Sequence, residues 1–313
     1  MTKVVKIGTR DSELALWQAK KVQTLLHQQN ISSELVLIKS EGDIDLSTPL
    51  YEIGIQGIFT KTLDIALLQK RIDLAVHSYK DVPTQPARGI ITAAVLKRDA
   101  YTDILVFRND REESLAALED INNRTALIIA TSSIRRRAQW LHRYPHHQIE
   151  NLRGNVITRL KKLAESNWHG AIFAAAGLER IGLRPAGSID LTWMLPAPAQ
   201  GAIAVACRED DEVLKQICTT INDKPTALCT GVERDFLKTL LGGCTTPISA
   251  LATIKEGQVT LIGNLHSKDG HQMISVEKSS AIAEAGSLGK EAGAEVISRG
   301  GDKIIESIKY ASE

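Results

Sequence analysis

The first two hundred residues alternate between short apolar runs and stretches with helical spacing, and this alternation limits the chain to a few architectures. Val4–Gly8 reads as a buried strand. Ser12 then stands where a helix cap belongs, before Leu14, Trp17, Val22, Leu25 and Leu26 at helical intervals. Glu34–Lys39, Ile72–His77 and Gly89–Leu96 read as further strands, and Thr60 is placed to cap a helix running to Lys70. Strand–helix–strand order of this kind predicts an α/β sheet with right-handed crossovers. Between the second strand and Thr60 lies a long polar loop, residues 40–58, with Gly42, Gly54 and Gly57. Loops of that length in compact domains tend to be functional.

A second α/β unit follows. Ile104–Phe107, Ala126–Ala130 and Ala171–Ala175 read as strands, with helices after Thr131-Ser132-Ser133 and after Arg153-Gly154-Asn155. Pro196-Ala197-Pro198-Ala199 reads as a connector, and Gly201–Cys207 as a strand that returns the chain to the first unit. Two α/β lobes joined by two crossings form a hinged cleft, a common ligand site. Then the pattern changes. A helix over Thr226–Leu241 is broken by Gly242-Gly243-Cys244, three strand-like runs follow, and helical segments near 281–299 and 302–310 close the chain, which predicts a small α+β domain. The expected boundaries are 1–103 with 201–221, then 104–200, then 222–313.

Charge narrows the function. Lys plus Arg is 38 against 37 for Asp plus Glu, a net +1, and aromatics are 4%. That balance argues against a general nucleic-acid binder, and the scarcity of aromatics against base stacking. No apolar run approaches the ~18 residues of a membrane span, and the first residues carry no signal-peptide pattern, so the expected compartment is the cytoplasm. Neutrality hides a local excess. Between Thr131 and Arg184 there are ten basic residues, eight of them Arg, and three acids. Arginine suits bidentate grip of carboxylate or phosphate. Arg135 and Arg136 fall in the first turn of a helix, where cations oppose the helix dipole and an anionic ligand would compensate. Arg153-Gly154-Asn155, with Arg159 one turn on, repeats the arrangement. Arg10 and Ser12 form a similar junction. For any single Arg, a solvated helix face is the simpler reading.

Ser78-Tyr79-Lys80-Asp81-Val82-Pro83 follows a buried strand, and ligands of open α/β sheets gather at the carboxyl ends of strands. Asp81 is placed there to act as acid, base or cation stabiliser, although an Asp near a Pro also suits a plain turn. Of four cysteines, Cys207, Cys218 and Cys229 fit buried strand and helix positions. Cys244 follows two glycines in a loop, where a thiol can take covalent cargo. His146-His147 lacks a carboxylate partner at ligand spacing and reads as loop, so no metal is expected.

Five motifs occur in order: Thr9-Arg10-Asp11-Ser12-Glu13-Leu14-Ala15-Leu16-Trp17-Gln18, Val76-His77-Ser78-Tyr79-Lys80-Asp81-Val82-Pro83, Thr131-Ser132-Ser133-Ile134-Arg135-Arg136, Leu152-Arg153-Gly154-Asn155-Val156-Ile157-Thr158-Arg159-Leu160 and Gly242-Gly243-Cys244. Together they closely resemble the porphobilinogen deaminase (hydroxymethylbilane synthase) family, over essentially the whole chain and more loosely after Pro247. The resemblance implies two periplasmic-binding-protein-like lobes with a hinged cleft and a small α+β C-terminal domain. It implies a dipyrromethane cofactor joined by a thioether to Cys244, extension by four porphobilinogen units with loss of ammonia, and release of hydroxymethylbilane in tetrapyrrole (heme) biosynthesis. Asp81 falls on the family's catalytic Asp. Arg10, Arg135, Arg136, Arg153, Arg159 and Arg180 fall on its Arg positions. Ser12, Ser78, Lys80, Thr131, Ser132, Ser133, Gly154 and Gln200 fall on its cofactor- or substrate-contact motifs, and Phe59 is expected near the pyrroles beneath a lid. The family also implies a monomer. Three positions depart from its common pattern: Gln56 for Lys, Thr62 for Glu, and Ala199 for Gly before Gln200-Gly201. The alternative from another class is a noncatalytic two-lobed binding protein for a polycarboxylate or phosphate, which needs neither Cys244 nor Asp81. A Cys hydrolase would need His266 or His271 near Cys244, and no hydrolase motif supports it.

Overall fold

A computed structural model describes residues 4–39, 60–108, 111–119, 125–240 and 246–310. The loop over 40–58, Gln56, Phe59 and Cys244 lie outside the described residues. The first sheet contains β1 (Val5–Thr9), β2 (Ser33–Leu37), β3 (Leu74–Ser78) and β4 (Ile90–Val95). The second contains β5 (Asp103–Phe107), β6 (Ile128–Ala130), β7 (Gln148–Glu150), β8 (Gly170–Ala174) and β9 (Ile189–Asp190). The returning strand β10 (Ile203–Arg208) completes the first sheet, and β11 (Ile248–Lys255), β12 (Gln258–His266) and β13 (Met273–Ala281) form the third.

The two larger sheets share one plan. Their orders are β2-β1-β3-β10-β4 and β7-β6-β8-β5-β9. In each, the first three strands of the lobe pair in parallel, and the strand that crosses from the other lobe inserts antiparallel before the last one. Central strands are buried on both faces: β10 is buried at all six positions and β3 at its first four. Such strands read as continuous apolar runs, so the alternation of strand and helix was legible where period-2 patterning was not.

Helices α1 (Glu13–Gln28) and α2 (Lys61–Leu68) belong to the first lobe; α3 (Arg111–Glu119), α4 (Ile134–Arg143), α5 (Val156–Glu165) and α6 (Ala175–Glu179) belong to the second. Ser12 caps α1 by accepting from the Ala15 amide at 3.4 Å, and α1 buries Ala19, Val22 and Leu26 against the first sheet. Thr60 departs from expectation. Its backbone is already helical (φ −103°, ψ −29°), so its hydroxyl bonds Asp64 rather than a free amide. The short α6 and the strand β9 carry too few residues to show a period.

Helix α7 (Glu212–Thr219) packs on the first sheet through Leu214 and Cys218. Helix α8 (Lys224–Thr239) starts with Asp223 as cap and Pro225 in its first turn, a favoured helix opening. Phe236 on α8 is fully buried against the three-stranded antiparallel sheet, which α9 (Leu288–Val296) and α10 (Asp302–Tyr310) also cover. Glu256 and Gly257, both at positive φ (51° and 77°), close the two-residue turn between β11 and β12. The third strand-like run of this part reads from sequence as Gln272–Glu277, and the strand runs four residues further because its alternation continues through Lys278–Ala281.

The chain passes between the lobes along two straps, residues 96–102 and 191–202. They are zipped by Leu96 N–H to Ile203 O (2.9 Å) and Asp99 N–H to Gly201 O (3.1 Å). Gly201 has φ +84°, and a Cβ there would sit 2.7 Å from the Ala100 carbonyl, so the straps approach only because it is glycine. Ala199, in place of the glycine expected two residues earlier, is fully buried at φ +62°. A left-handed conformation costs a non-glycine residue about 1 kcal/mol or more, so this strap holds strain that its surroundings enforce.

Candidate functional site

The site begins at the carboxyl end of β3. Pro83 cannot extend a sheet or helix, and the chain turns through a 3-10 turn, Tyr79–Asp81. Tyr79 is buried and its amide donates to Ala202 O at 3.0 Å, pinning the turn to a strap. Asp81 is exposed on that turn. Beside it, the Lys80 ammonium donates to Gln200 Oε1 at 3.2 Å. Gln200 Nε2 in turn donates to Tyr101 O and to Asp103 Oδ1, both at 2.8 Å. Asp103 also accepts from Arg135 Nη2 at 2.7 Å and from Arg136 Nε and Nη2 at 3.1 and 2.7 Å. A polar chain thus runs from the Asp81 turn of one lobe, through a strap, to the arginine pair of the other.

Asp103 is wholly buried. Burial pushes its pKa up, but Arg135 and Arg136 outweigh that and hold it well below the usual carboxylate range. Each of the pair also donates to a carbonyl: Arg135 Nη1 to Leu195 O (2.6 Å) and Arg136 Nη1 to Ile172 O (2.9 Å). The cations at the start of α4 therefore share one internal counter-ion, which leaves one positive charge of the pair unmatched by Asp103. Lys80 feels the opposite balance. Burial lowers its pKa to about 8; Asp81 and Asp103 raise it, while Arg136 and Arg135 oppose them.

The second helix start differs. Asn155 caps α5 by accepting from the Thr158 amide at 2.9 Å. Gly154 has φ +114°, and a Cβ there would meet Thr158 Cγ2 at 2.7 Å. Arg159 Nε donates to Gly154 O at 2.7 Å, which folds its side chain back over the loop. Arg153 is buried close by. Burial and then the charges of Arg136 and Arg153 lower the Arg159 pKa to about 10, and the carboxylate that opposes them is Asp81, from the other lobe. Positive charge is in excess here, and Asp81 faces it.

The other expected residues take the following places. Ser133 caps α4, Thr131 Oγ1 accepts from the Ser133 amide (3.2 Å), and Ser132 Oγ bonds Asn151 Oδ1 (2.6 Å) and the Leu152 amide (3.0 Å). Ser78 Oγ accepts from Gln18 Nε2 at 2.8 Å, a tie between β3 and α1. Arg10 lies near His77, whose pKa falls to about 4 through burial and then through Arg10. Arg180 is committed to the straps: it bonds Asp99 Oδ2 and Gly201 O (2.8 and 2.7 Å) and lies 5.5 Å over the Trp17 ring. Cys207, Cys218 and Cys229 are buried, as their sequence settings predict; burial pushes the Cys218 thiol to about 12 and the Cys229 thiol to about 11.

Sequence reasoning missed Asp103, which opens a strand and shows no local mark of its partners. It also missed Arg98 and Glu233. Glu233 is fully buried, receives Arg98 Nη1 at 2.6 Å, and accepts from the amides of Ala199 (2.6 Å) and Ala252 (2.8 Å). A charged residue on the apolar side of α8 was the available signal, because such a residue is rarely buried without a partner.

The donor set suits a ligand with several carboxylates. Buried guanidinium groups and a lysine ammonium interact electrostatically with one another and with Asp81 of the first lobe. Comparison with known proteins agrees. Residues 5–216 match the family model described as porphobilinogen deaminase, dipyromethane cofactor binding domain, and residues 227–298 match that of the porphobilinogen deaminase C-terminal domain. The porphobilinogen deaminase of Desulforamulus reducens is 40% identical over 97% of this chain and 98% of its own. That of Legionella pneumophila is 40% identical over 98% of each. The chloroplastic porphobilinogen deaminase of Oryza sativa is 38% identical over 98% of this chain and 87% of its own. Among solved structures, the periplasmic VFT2 domain of Bordetella pertussis BvgS covers 70% of this chain and 86% of its own at 13% identity and a TM-score of 0.41.

Proposed function

Because the chain belongs to the porphobilinogen deaminase family, we propose that its interlobe cleft carries that family's chemistry with Asp81 as the catalytic carboxylate and Cys244 as the cofactor anchor. The enzyme is a transferase of tetrapyrrole biosynthesis that joins four porphobilinogen molecules head to tail and releases ammonia and hydroxymethylbilane. Its cofactor is dipyrromethane, which when bound supplies the pyrrole terminus to which each unit is added. Each porphobilinogen carries an acetate and a propionate, so substrate and product are polyanions. A binding protein without chemistry is not favoured, given relatives that match over nearly their whole length.

The observation that carries the site assignment is the polar chain from Lys80, next to Asp81, through Gln200 and Asp103 to Arg135 and Arg136, with the charge of Asp81 also favouring that of Arg159. Loss of ammonia from the aminomethyl group leaves a cation on the substrate pyrrole. A carboxylate near the pyrrole N–H stabilises that cation and moves protons, while guanidinium groups hold the side-chain carboxylates away from it. Arg159, Arg153 and Lys80 serve as ligand contacts in this reading, with Arg10, Ser12, Ser78, Thr131, Ser132, Ser133, Gly154 and Gln200 lining or shaping the path, and Phe59 is assigned a ligand contact from the family's motif alone. Arg135, Arg136 and Arg180 contribute field and hold the straps. The lobes are taken as 1–103 with 201–221 and 104–200, with 222–313 as the anchoring domain. No helix among the described residues is long and apolar enough to cross a membrane. We read the enzyme as a cytoplasmic monomer without a nucleic-acid partner.

Intact-protein mass spectrometry tests the anchor. The purified chain should carry the added mass of two linked pyrroles, and Cys244→Ala should lack it. An unmodified chain with full activity overturns the assignment.

A further inference from the structure

Helix α8 presents two adjacent charged residues to the rest of the molecule. Glu233 holds the straps, as described. Arg234 reaches the other way, to the turn that bears Asp81. Its Nη1 donates to Val82 O at 2.8 Å and to Tyr79 O at 3.4 Å, and its Nη2 donates to Pro83 O at 2.6 Å. Its guanidinium carbon lies 4.4 Å over the Tyr79 ring. One planar fork therefore gathers the carbonyls on both sides of Asp81 and stacks on the aromatic ring that roots the turn.

We propose that Arg234 is a positioning residue for Asp81, fixing the Tyr79–Pro83 turn from the C-terminal domain. This rests on the reading of Asp81 as the catalytic carboxylate. From within its own residues the turn is closed by Val82 N–H to Tyr79 O at 3.2 Å. Three carbonyl dipoles point their negative ends at one place, two residues or fewer from a carboxylate. A delocalised cation with donors in a rigid fork meets all three together; an ammonium does not. The helix beneath is rigid, since Val232 and Phe236 on either side of Arg234 are buried in the core of the third sheet. The C-terminal domain thereby fixes the catalytic turn through the helix that precedes Cys244 in sequence.

A double-mutant cycle on the holoenzyme tests this. Arg234→Gln should lower kcat by about tenfold with KM for porphobilinogen nearly unchanged, as for loss of an interaction that matters in the transition state. Arg234→Lys should recover part of that loss. In an Asp81→Asn background, Arg234→Gln should cost no more than about twofold further, because the group it positions is gone. Independent, multiplying losses overturn the proposal. If Asp81→Asn alone turns over near normally, the reading of Asp81 falls and this inference with it. Hydrogen exchange gives a readout apart from activity: the Val82 amide should exchange faster in Arg234→Gln, with peptides of the second sheet unchanged. Unaltered exchange at Val82, or faster exchange throughout, overturns it.

Discussion

At the start of α4, Arg135 and Arg136 meet the buried carboxylate of Asp103, which opens β5 of the second sheet. At the start of α5, Arg159 is opposed by Arg136 and Arg153, and the acid that favours its charge comes from the opposite lobe. Both starts carry a polar cap and arginines, and nothing local separates them. The difference lies in one residue, Asp103, which β5 brings in from a crossing strap. The same residue types therefore meet a shared buried carboxylate in one place and an excess of positive charge in the other. What decides is where the counter-ion sits.

The strongest way to break this contrast is Asp103→Asn. It leaves two buried guanidinium groups without their shared charge, and removing one partner of a buried pair costs about 3–5 kcal/mol. Denaturant unfolding should report that loss; a small change would return Arg135 and Arg136 to the ligand side. Next is Asp81→Asn, which should slow polymerisation by more than ~100-fold while leaving the unfolding midpoint in place. Retained turnover would remove Asp81 from its role. Arg159→Gln should raise KM by about tenfold, near the contribution of one charge-assisted contact, again with little change in stability. If it instead unfolds the protein, the α5 start is as structural as the α4 start.

The pH dependence sharpens the same point. Lys80 is charged below about 8 and neutral above it. Affinity for an anionic substrate should therefore weaken as pH rises through that value, by a few fold in KM. Lys80→Arg, which stays charged, should abolish the trend. The smallest expected effect is at the strap: Ala199→Gly should relax the left-handed backbone and stabilise the fold by up to about 1 kcal/mol, read as a small rise in Tm.

Much of this architecture was legible in the chain. Ser12, Ser133 and Asn155 announced their helices because a cap acts within three residues of itself. The buried cysteines were recognisable from their apolar neighbours. Asp81 was visible as a polar residue ending an apolar run, and the family's motifs located the arginines. What could not be read was which arginines are neutralised internally. Asp103 and Arg136 are 33 residues apart, Arg98 and Glu233 are 135 apart, and Arg234 lies 151 residues or more from the carbonyls it holds. Pairings at that range depend on sheet order, and no local pattern encodes them. Ala199 is the instructive intermediate: its departure from glycine was apparent in sequence, and its strain only in the backbone angle.

The strand exchange has a consequence for the order in which the molecule is built. A nascent chain that has reached β9 holds every strand of the second sheet, β5 through β9, within one uninterrupted stretch. The first sheet still has a gap between β3 and β4 at that moment, because β10 fills it and has not been made. Domains fold as units during synthesis, commonly from the N-terminus. Here the strands made before the second sheet belong to a sheet that closes only after its successor is complete, so β4 must wait beside an unfilled slot for more than a hundred residues of translation.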